Sequence, residues 1–208
     1  FRKAIGLKPD YAEAYNNLGT LQKKHSKLKE GESSFRKAIQ LKPDYAEAHS
    51  NLGTLLQRMD RLQEAESSFR KAISLKPSEA NAHNNLGTVL QELGKVEEAR
   101  ESYSKAITLK PNFIKAYNNL GTAFQELNVL EEAKANFRKA IELKPDYAEA
   151  HYNYGLSLKG LGRLMEAETS FKRAVELKPN YAKAFSNWGI TLQELDRLEE
   201  AEACFRKA

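Results

Sequence analysis

Apolar residues recur with helical spacing in two consecutive runs, and the pair of runs returns every 34 residues along the chain. Between residues 46 and 79 the first run is Ala48, His49, Leu52, Gly53, Leu55, Leu56 and Met59, and the second is Leu62, Ala65, Phe69, Ala72, Ile73 and Leu75. All six prolines (Pro9, Pro43, Pro77, Pro111, Pro145, Pro179) keep this register, as do six of the eleven glycines (Gly19, Gly53, Gly87, Gly121, Gly155, Gly189). Each period predicts a hairpin of two helices of about 13 residues, each about 20 Å long. One such hairpin leaves an apolar face open, so neighbouring hairpins must complete the core, and an all-α solenoid follows.

With Ala46 opening a repeat, the 208 residues divide into a trailing half-helix 1–11, repeats 12–45, 46–79, 80–113, 114–147 and 148–181, and a shortened 182–208. The chain is thus read as a single array over 1–208. It opens on Phe1-Arg2-Lys3-Ala4 and closes on Phe205-Arg206-Lys207-Ala208, which suggests a piece of a longer array with apolar ends at Ile5 and Phe205.

Helix boundaries carry chemical signals. Asp44 is placed to cap the first helix, with Glu47 three residues on, an arrangement repeated by Asp10/Glu13 and Asp146/Glu149. Pro43 lacks a donor N–H and biases Lys42 away from helical angles, so the preceding helix must stop there. Ser26, Asp60, Gly94, Asn128, Gly162 and Asp196 mark the turn inside each hairpin. Gly53 and Ala65 are small where the two helices cross, Phe69 and Leu52 fill the adjoining space, and Ala72 admits the next repeat. Tyr15, His49, His83, Tyr117, His151 and Phe185 wedge between helices. The three histidines stand one per repeat without any HxxxH spacing, which favours packing or hydrogen bonding over metal ligation.

The Leu-Gly pair, the Ala and Phe of the second helix, the second Ala and the closing Pro resemble the tetratricopeptide repeat (TPR) pattern over the whole chain. The resemblance implies a right-handed superhelix, with the first helix of each repeat lining a concave groove and the second forming the convex back. Repeat 12–45 departs from it at Gln22 and Gly31, and is expected to be the softest, since glycine inside a helix costs about 1 kcal/mol relative to alanine.

On the face that this arrangement turns inward, an asparagine precedes the Leu-Gly position in every repeat: Asn17, Asn51, Asn85, Asn119, Asn153 and Asn187. Asparagine is a mediocre helix former, so its recurrence calls for a reason. One reading is a ladder of amides, each a donor and an acceptor, along which the backbone of an extended peptide is held. The other is an inter-repeat hydrogen bond that sets superhelical pitch. The wording around it, with Asn84 and Asn118 just before the ladder residue, is similar to the TPR arms of O-linked N-acetylglucosamine transferases, which implies that a concave asparagine ladder grips protein substrates. A carboxylate clamp of the chaperone-adaptor type is disfavoured, because only Lys115 and Lys183 fall at a clamp-like position. In the last third, Tyr152, Leu156 and Ile190 replace polar inner-face residues, and Tyr154 and Trp188 enlarge neighbouring positions. Either an apolar pocket at 148–193 or contact with a further domain would account for them.

The net charge of +5 raises nucleic acid as a partner, but cations such as Arg70, Lys71 and Lys76 recur where they would complement the C-terminal end of a helix dipole. No aromatic residues interleave with them as single-strand binding requires. No run of about 18 apolar residues could span a bilayer. Cys204 is the one cysteine, a packing residue compatible with a reducing, cytoplasmic compartment. No phosphate-binding loop, activated nucleophile or enclosed carboxylate pair is present, so neither catalysis nor a cofactor is expected from this segment. The expectation is a protein-interaction scaffold holding an extended peptide or protein segment. The alternatives are a substrate-docking arm of a larger transferase and a structural repeat that self-associates head to tail.

Overall fold

The computed structural model describes residues 8–208, which form twelve α-helices and no strand. The chain divides into two compact units, Phe1–Lys110 and Pro111–Ala208. In the first unit lie α1 (Ala12–Lys24), α2 (Leu28–Leu41), α3 (Ala46–Arg58), α4 (Leu62–Leu75), α5 (Ala80–Glu92) and α6 (Val96–Leu109). In the second lie α7 (Ile114–Glu126), α8 (Leu130–Leu143), α9 (Ala148–Gly160), α10 (Leu164–Leu177), α11 (Ala182–Glu194) and α12 (Leu198–Phe205). Within each unit every helix packs on the next, and successive first helices also touch (α1 with α3, α3 with α5, α7 with α9, α9 with α11). Phe1–Ala4 and Ile5 lie outside the described residues.

One contact builds every hairpin. An aromatic ring on the second helix presses against a glycine of the first, as with Phe35 on Gly19, Phe69 on Gly53 and Tyr103 on Gly87 in the first unit. Phe137, Phe171 and Phe205 do the same on Gly121, Gly155 and Gly189 in the second. A Cβ at any of these glycines would stand 2.6–3.0 Å from the ring, closer than carbon atoms approach. Phe35, Phe69, Tyr103, Phe137 and Phe171 have no exposed surface. Alanines complete the layer: Ala65, Ala99, Ala133 and Ala167 are fully buried where the helices cross. Burying each ring stabilises the chain by about 1.5–3 kcal/mol. Where polar residues enter this layer they find partners. Tyr103 donates its hydroxyl to Gln91 Oε1 at 2.9 Å, and Ser34 donates to Gln22 Oε1 at 2.7 Å, which accounts for the glutamine in repeat 12–45.

The turn within each hairpin bends through the left-handed region. Ser26, Asp60, Asn128 and Asp196 have φ between 58° and 60°, and Gly94 and Gly162 have φ of 75° and 73°. This αL residue closes two reverse bonds: Gly94 N–H donates to Gln91 O (2.9 Å) and Lys95 N–H to Leu90 O (2.8 Å), which satisfies the last carbonyls of α5.

Two sequence expectations are corrected. Asp10, Asp44 and Asp146 do not cap helices. The N-cap positions are Tyr11, Tyr45 and Tyr147, none with a side-chain cap bond. The aspartate falls one residue early because Lys42-Pro43-Asp44-Tyr45 is itself a turn, closed by Tyr45 N–H to Lys42 O at 3.1 Å. Over that turn the lysine ammonium sits against the tyrosine ring, 5.1 Å from its centre at Lys42/Tyr45, 5.6 Å at Lys144/Tyr147 and 4.6 Å at Lys178/Tyr181. Nor is the Arg70 and Lys71 part of the cationic ridge matched to the helix dipole, since α4 runs on to Leu75 with no basic residue in its last turn and only Lys76, its C-cap, stands at that end. Its charges answer carboxylates instead: Arg70 pairs with Glu66 (2.9 Å) and with Glu98 of the next hairpin (2.6 Å), and Arg61 reaches back to Glu32 at 2.8 Å. Exposed pairs of this kind contribute about 0–1 kcal/mol each.

Two substitutions probe these features by urea denaturation. Gly121→Ala places a methyl 2.6 Å from the Phe137 ring and should lower stability by about 1–3 kcal/mol. Ser26→Gly removes a side chain from a left-handed backbone position and should raise stability by about 1 kcal/mol.

Candidate functional site

The side-by-side first helices give each unit a face built from α1, α3 and α5, or from α7, α9 and α11, and the recurrent asparagines fall on it. In the first unit Asn51 donates Nδ2 to Asn16 Oδ1 at 3.0 Å. Asn16 is buried, 1% exposed, and donates in turn to Glu47 Oε1 (3.0 Å) and the Tyr45 hydroxyl (3.3 Å). Asn84 donates to Asn85 Oδ1 at 3.3 Å. In the second unit Asn153 donates to Asn118 Oδ1 at 3.2 Å, and Asn187 donates to the Tyr152 hydroxyl at 3.2 Å and to Lys183 O at 3.0 Å. The inter-repeat bond weighed as one of two roles for these asparagines is therefore present in both units.

The ladder residues differ from the residues that precede them. Asn17 is exposed, and Asn51, Asn85, Asn119, Asn153 and Asn187 are half-buried. Asn84 and Asn118 are 1% and 2% exposed. They do not offer groove surface as expected; they lie beneath it, where an amide can bond to its neighbours on both sides. Because Asn51 and Asn153 each commit one Nδ2 hydrogen to the neighbouring repeat, the amide plane is fixed. An oriented amide of this kind can accept from a peptide N–H and donate to a peptide C=O without first losing rotamer freedom.

In the last third the large residues pack among themselves. Tyr152 lies 5.9 Å from the Phe171 ring and 5.0 Å from Tyr181, with its hydroxyl accepting from Asn187. Leu156 is partly buried against Leu158, Ala167 and Phe171, and Trp188 joins the same cluster. Tyr152 thus does at this junction what Asn118 does one repeat earlier. Burial, joined by nearby Glu149, pushes the Tyr147 and Tyr181 hydroxyls up to about 12.

The histidines are structural. His49, His83 and His151 each place Nε2 3.0 Å from the carbonyl of Pro43, Pro77 or Pro145, which fixes Nε2 as the protonated nitrogen. Burial holds the His151 pKa below the usual value. Burial also raises the pKa of the Cys204 thiol, as befits a packed residue. Among the described residues no three His, Cys, Asp or Glu are grouped to hold a metal, and no helix is long and apolar enough to cross a membrane.

Family models described as tetratricopeptide repeat match residues 12–45, 44–112, 78–146 and 118–182, and so cover the chain from 12 to 182. The chain belongs to the tetratricopeptide repeat family. No curated protein matches it. Among solved TPR folds it is similar to YrrB, described as a TPR protein with an unusual peptide-binding site, with a TM-score of 0.75, 26% identity, and 88% of this chain and 95% of that one covered. It is similar in fold to PilW, a type IV pilus biogenesis factor (TM-score 0.83, 19% identity, 93% and 90% covered), and to pilF of Pseudomonas aeruginosa (0.82, 22%, 93% and 88%).

Several partnerships on the TPR face, though not all of the residues themselves, escaped the sequence reading. Gln125 donates to Ser157 Oγ (2.9 Å) and Asn153 O (3.1 Å), Gln57 donates to Glu92 (2.9 Å), and Lys159 pairs with Glu194 (3.1 Å). The available signal was a spacing of 35 rather than 34. Asn16/Asn51, Gln57/Glu92, Asn118/Asn153 and Tyr152/Asn187 are all 35 residues apart.

The tyrosines give a pH test. Their folded pKa of about 12 lies above the ordinary 10.0, so the stability they contribute is complete below pH 10 and lost as pH rises towards 12. Stability measured by urea titration between pH 9 and about 12 should fall less steeply in Tyr147→Phe/Tyr181→Phe than in the parent.

Proposed function

We propose that this TPR array is a protein-interaction module that holds an extended peptide or protein segment along the first-helix face of a unit, each repeat of that unit contributing one register of contacts. The observation that carries the reading is the amide of Asn51 and of Asn153, each tied by Nδ2 to the neighbouring repeat while the residue stays half-buried. Asn17, Asn85, Asn119 and Asn187 recur at the same register, with Asn84 and Asn118 as supports beneath, and Tyr152 and Leu156 add apolar contact within the second unit. The peptide-binding site ascribed to YrrB supports the same class of ligand. Backbone recognition through amides tolerates many side chains, which suits a scaffold with more than one client. The finer reading, a substrate-docking arm of a transferase, rests on the asparagine register alone, and the peptide-holding role does not depend on it.

The test is binding to an unbiased panel of extended peptides, comparing the parent with Asn85→Ala/Asn119→Ala/Asn153→Ala, with melting followed in parallel. Affinity should fall about tenfold or more, while the melt drops only by the modest amount that loss of the Asn153–Asn118 bond accounts for. Unchanged affinity with a lowered melt would make the asparagines structural and remove the proposal.

Exposure of Leu198 (60%) and Phe205 (38%) favours a second reading, head-to-tail self-association through α12. A molar mass by light scattering that stays monomeric as concentration rises would exclude it.

A further inference from the structure

One junction in the first unit is built differently from its neighbours. Between α1 and α3 the space in front of the helices is filled by Tyr45, whose hydroxyl meets buried Asn16 and whose ring carries the Lys42 ammonium. In the second unit Tyr181 fills the corresponding place between α9 and α11, tilted against Tyr152 with ring centres 5.0 Å apart and with the Lys178 ammonium over its ring. Between α3 and α5 the same three positions read Ser50, Glu79 and Asn81 where the preceding junction has Asn16, Tyr45 and Glu47. Every replacement is smaller than what it replaces. The result is a cavity of about 360 Å³ on this face, floored by Ala46 and Ala72.

The charges of the cavity are unbalanced. Lys76, with no tyrosine ring to cover, pairs with Glu79 at 2.8 Å, and Asn81 steadies Glu79 from the other side at 3.4 Å. Glu47 also lines the cavity; it accepts the Asn16 amide at 3.0 Å and has no ion-pair partner among the described residues. Two carboxylates therefore face one ammonium. A neutral side chain entering here would strip water from Glu47 and return nothing, whereas a cation would compensate it. The volume is at the low end for a small-molecule site and suits one long side chain.

From the missing tyrosine and the surplus carboxylate we infer that this cavity receives an arginine side chain of the bound peptide, its stem on Ala46 and Ala72 and its guanidinium against Glu47 and Glu79. A planar fork of donors meets two carboxylates better than a single ammonium can. The inference rests on the peptide-holding role and gives that role a sequence preference: one arginine, registered against the second and third repeats.

Citrulline, the neutral isostere of arginine, is the control. An extended peptide with a central arginine should bind the parent about tenfold more tightly than its citrulline twin, and the advantage should shrink with added salt. Glu79→Tyr rebuilds the junction as it stands at Tyr45, so the variant should fold at least as well as the parent while losing the advantage. Glu47→Gln should lose it too, with the cavity intact. Equal binding of the two peptides to the parent, or an advantage that survives Glu79→Tyr, overturns the inference. N-acetyl-arginine amide separates the pocket from the ladder. Shifts in the amide resonances of Ser50 and Asn81 that vanish in Glu79→Tyr would uphold the pocket even if no peptide bound, in which case the peptide-holding role alone would fall. No shift with this probe, whether or not peptides bind, overturns the pocket.

Discussion

The ring of Phe69 lies on Gly53 with no room for a methyl group between them, and the rest of each hairpin is arranged to keep it there. Close approach brings the helices near enough for Ala65 to be fully buried at the crossing, and it demands a turn short enough to reverse the chain within a few residues. That turn is possible only through a left-handed residue, which is why Asp60 tolerates φ of 58°. The hydrophobic contribution of the ring and the strain of the turn are therefore parts of one solution. Interiors packed to the density of organic crystals transmit such a constraint rather than absorbing it.

Between hairpins apolar packing continues, as where Ala174 and Val175 meet Ala184 and Phe185, and polar contacts are added to it. Two sets of spacings recur: 35 residues between first helices, as from Asn16 to Asn51, and 28 or 29 residues between second helices, as from Arg70 to Glu98 and Glu32 to Arg61. The first set is half-buried and directional, and it orients the amides of that face. The second is exposed and ionic, and contributes little to stability singly. Polar bonds on the first-helix face and ion pairs among the second helices thus add direction to how one repeat meets the next within a unit, on top of the apolar packing that joins helices both within and between repeats.

What the sequence discloses follows from this division. Contacts within a repeat return every 34 residues and are legible by eye: Gly53 against Phe69, the turn at Asp60, the helix stop at Pro43. Contacts between repeats are offset from the period by one residue, or fall several residues short of it, so a column of aligned repeats sets Asn51 beside Asn17 and hides its partner Asn16. The same blindness led to Asp44 being read as a cap, since a proline turn shifts the helix start by one residue and leaves Tyr45 there instead. It also hid the burial of Asn84 and Asn118, because adjacent asparagines look alike until one of them is covered. The cationic ridge was visible but misattributed, for a run of Arg and Lys near a helix end names its partner only when the neighbouring Glu98 is in place.

The 35-residue offset also bears on how such a chain can change in length. Removing or duplicating 34 consecutive residues returns an equivalent residue to each side of every junction, so Asn51 would still find an asparagine, serine or tyrosine opposite it. Inserting a single residue within a first helix would turn the remainder of that helix by about 100° and remove its amide from the row. Gain and loss of whole repeats is thereby structurally neutral, whereas the smallest indel inside one is not, and arrays built this way are expected to diverge in repeat number long before they diverge in repeat length.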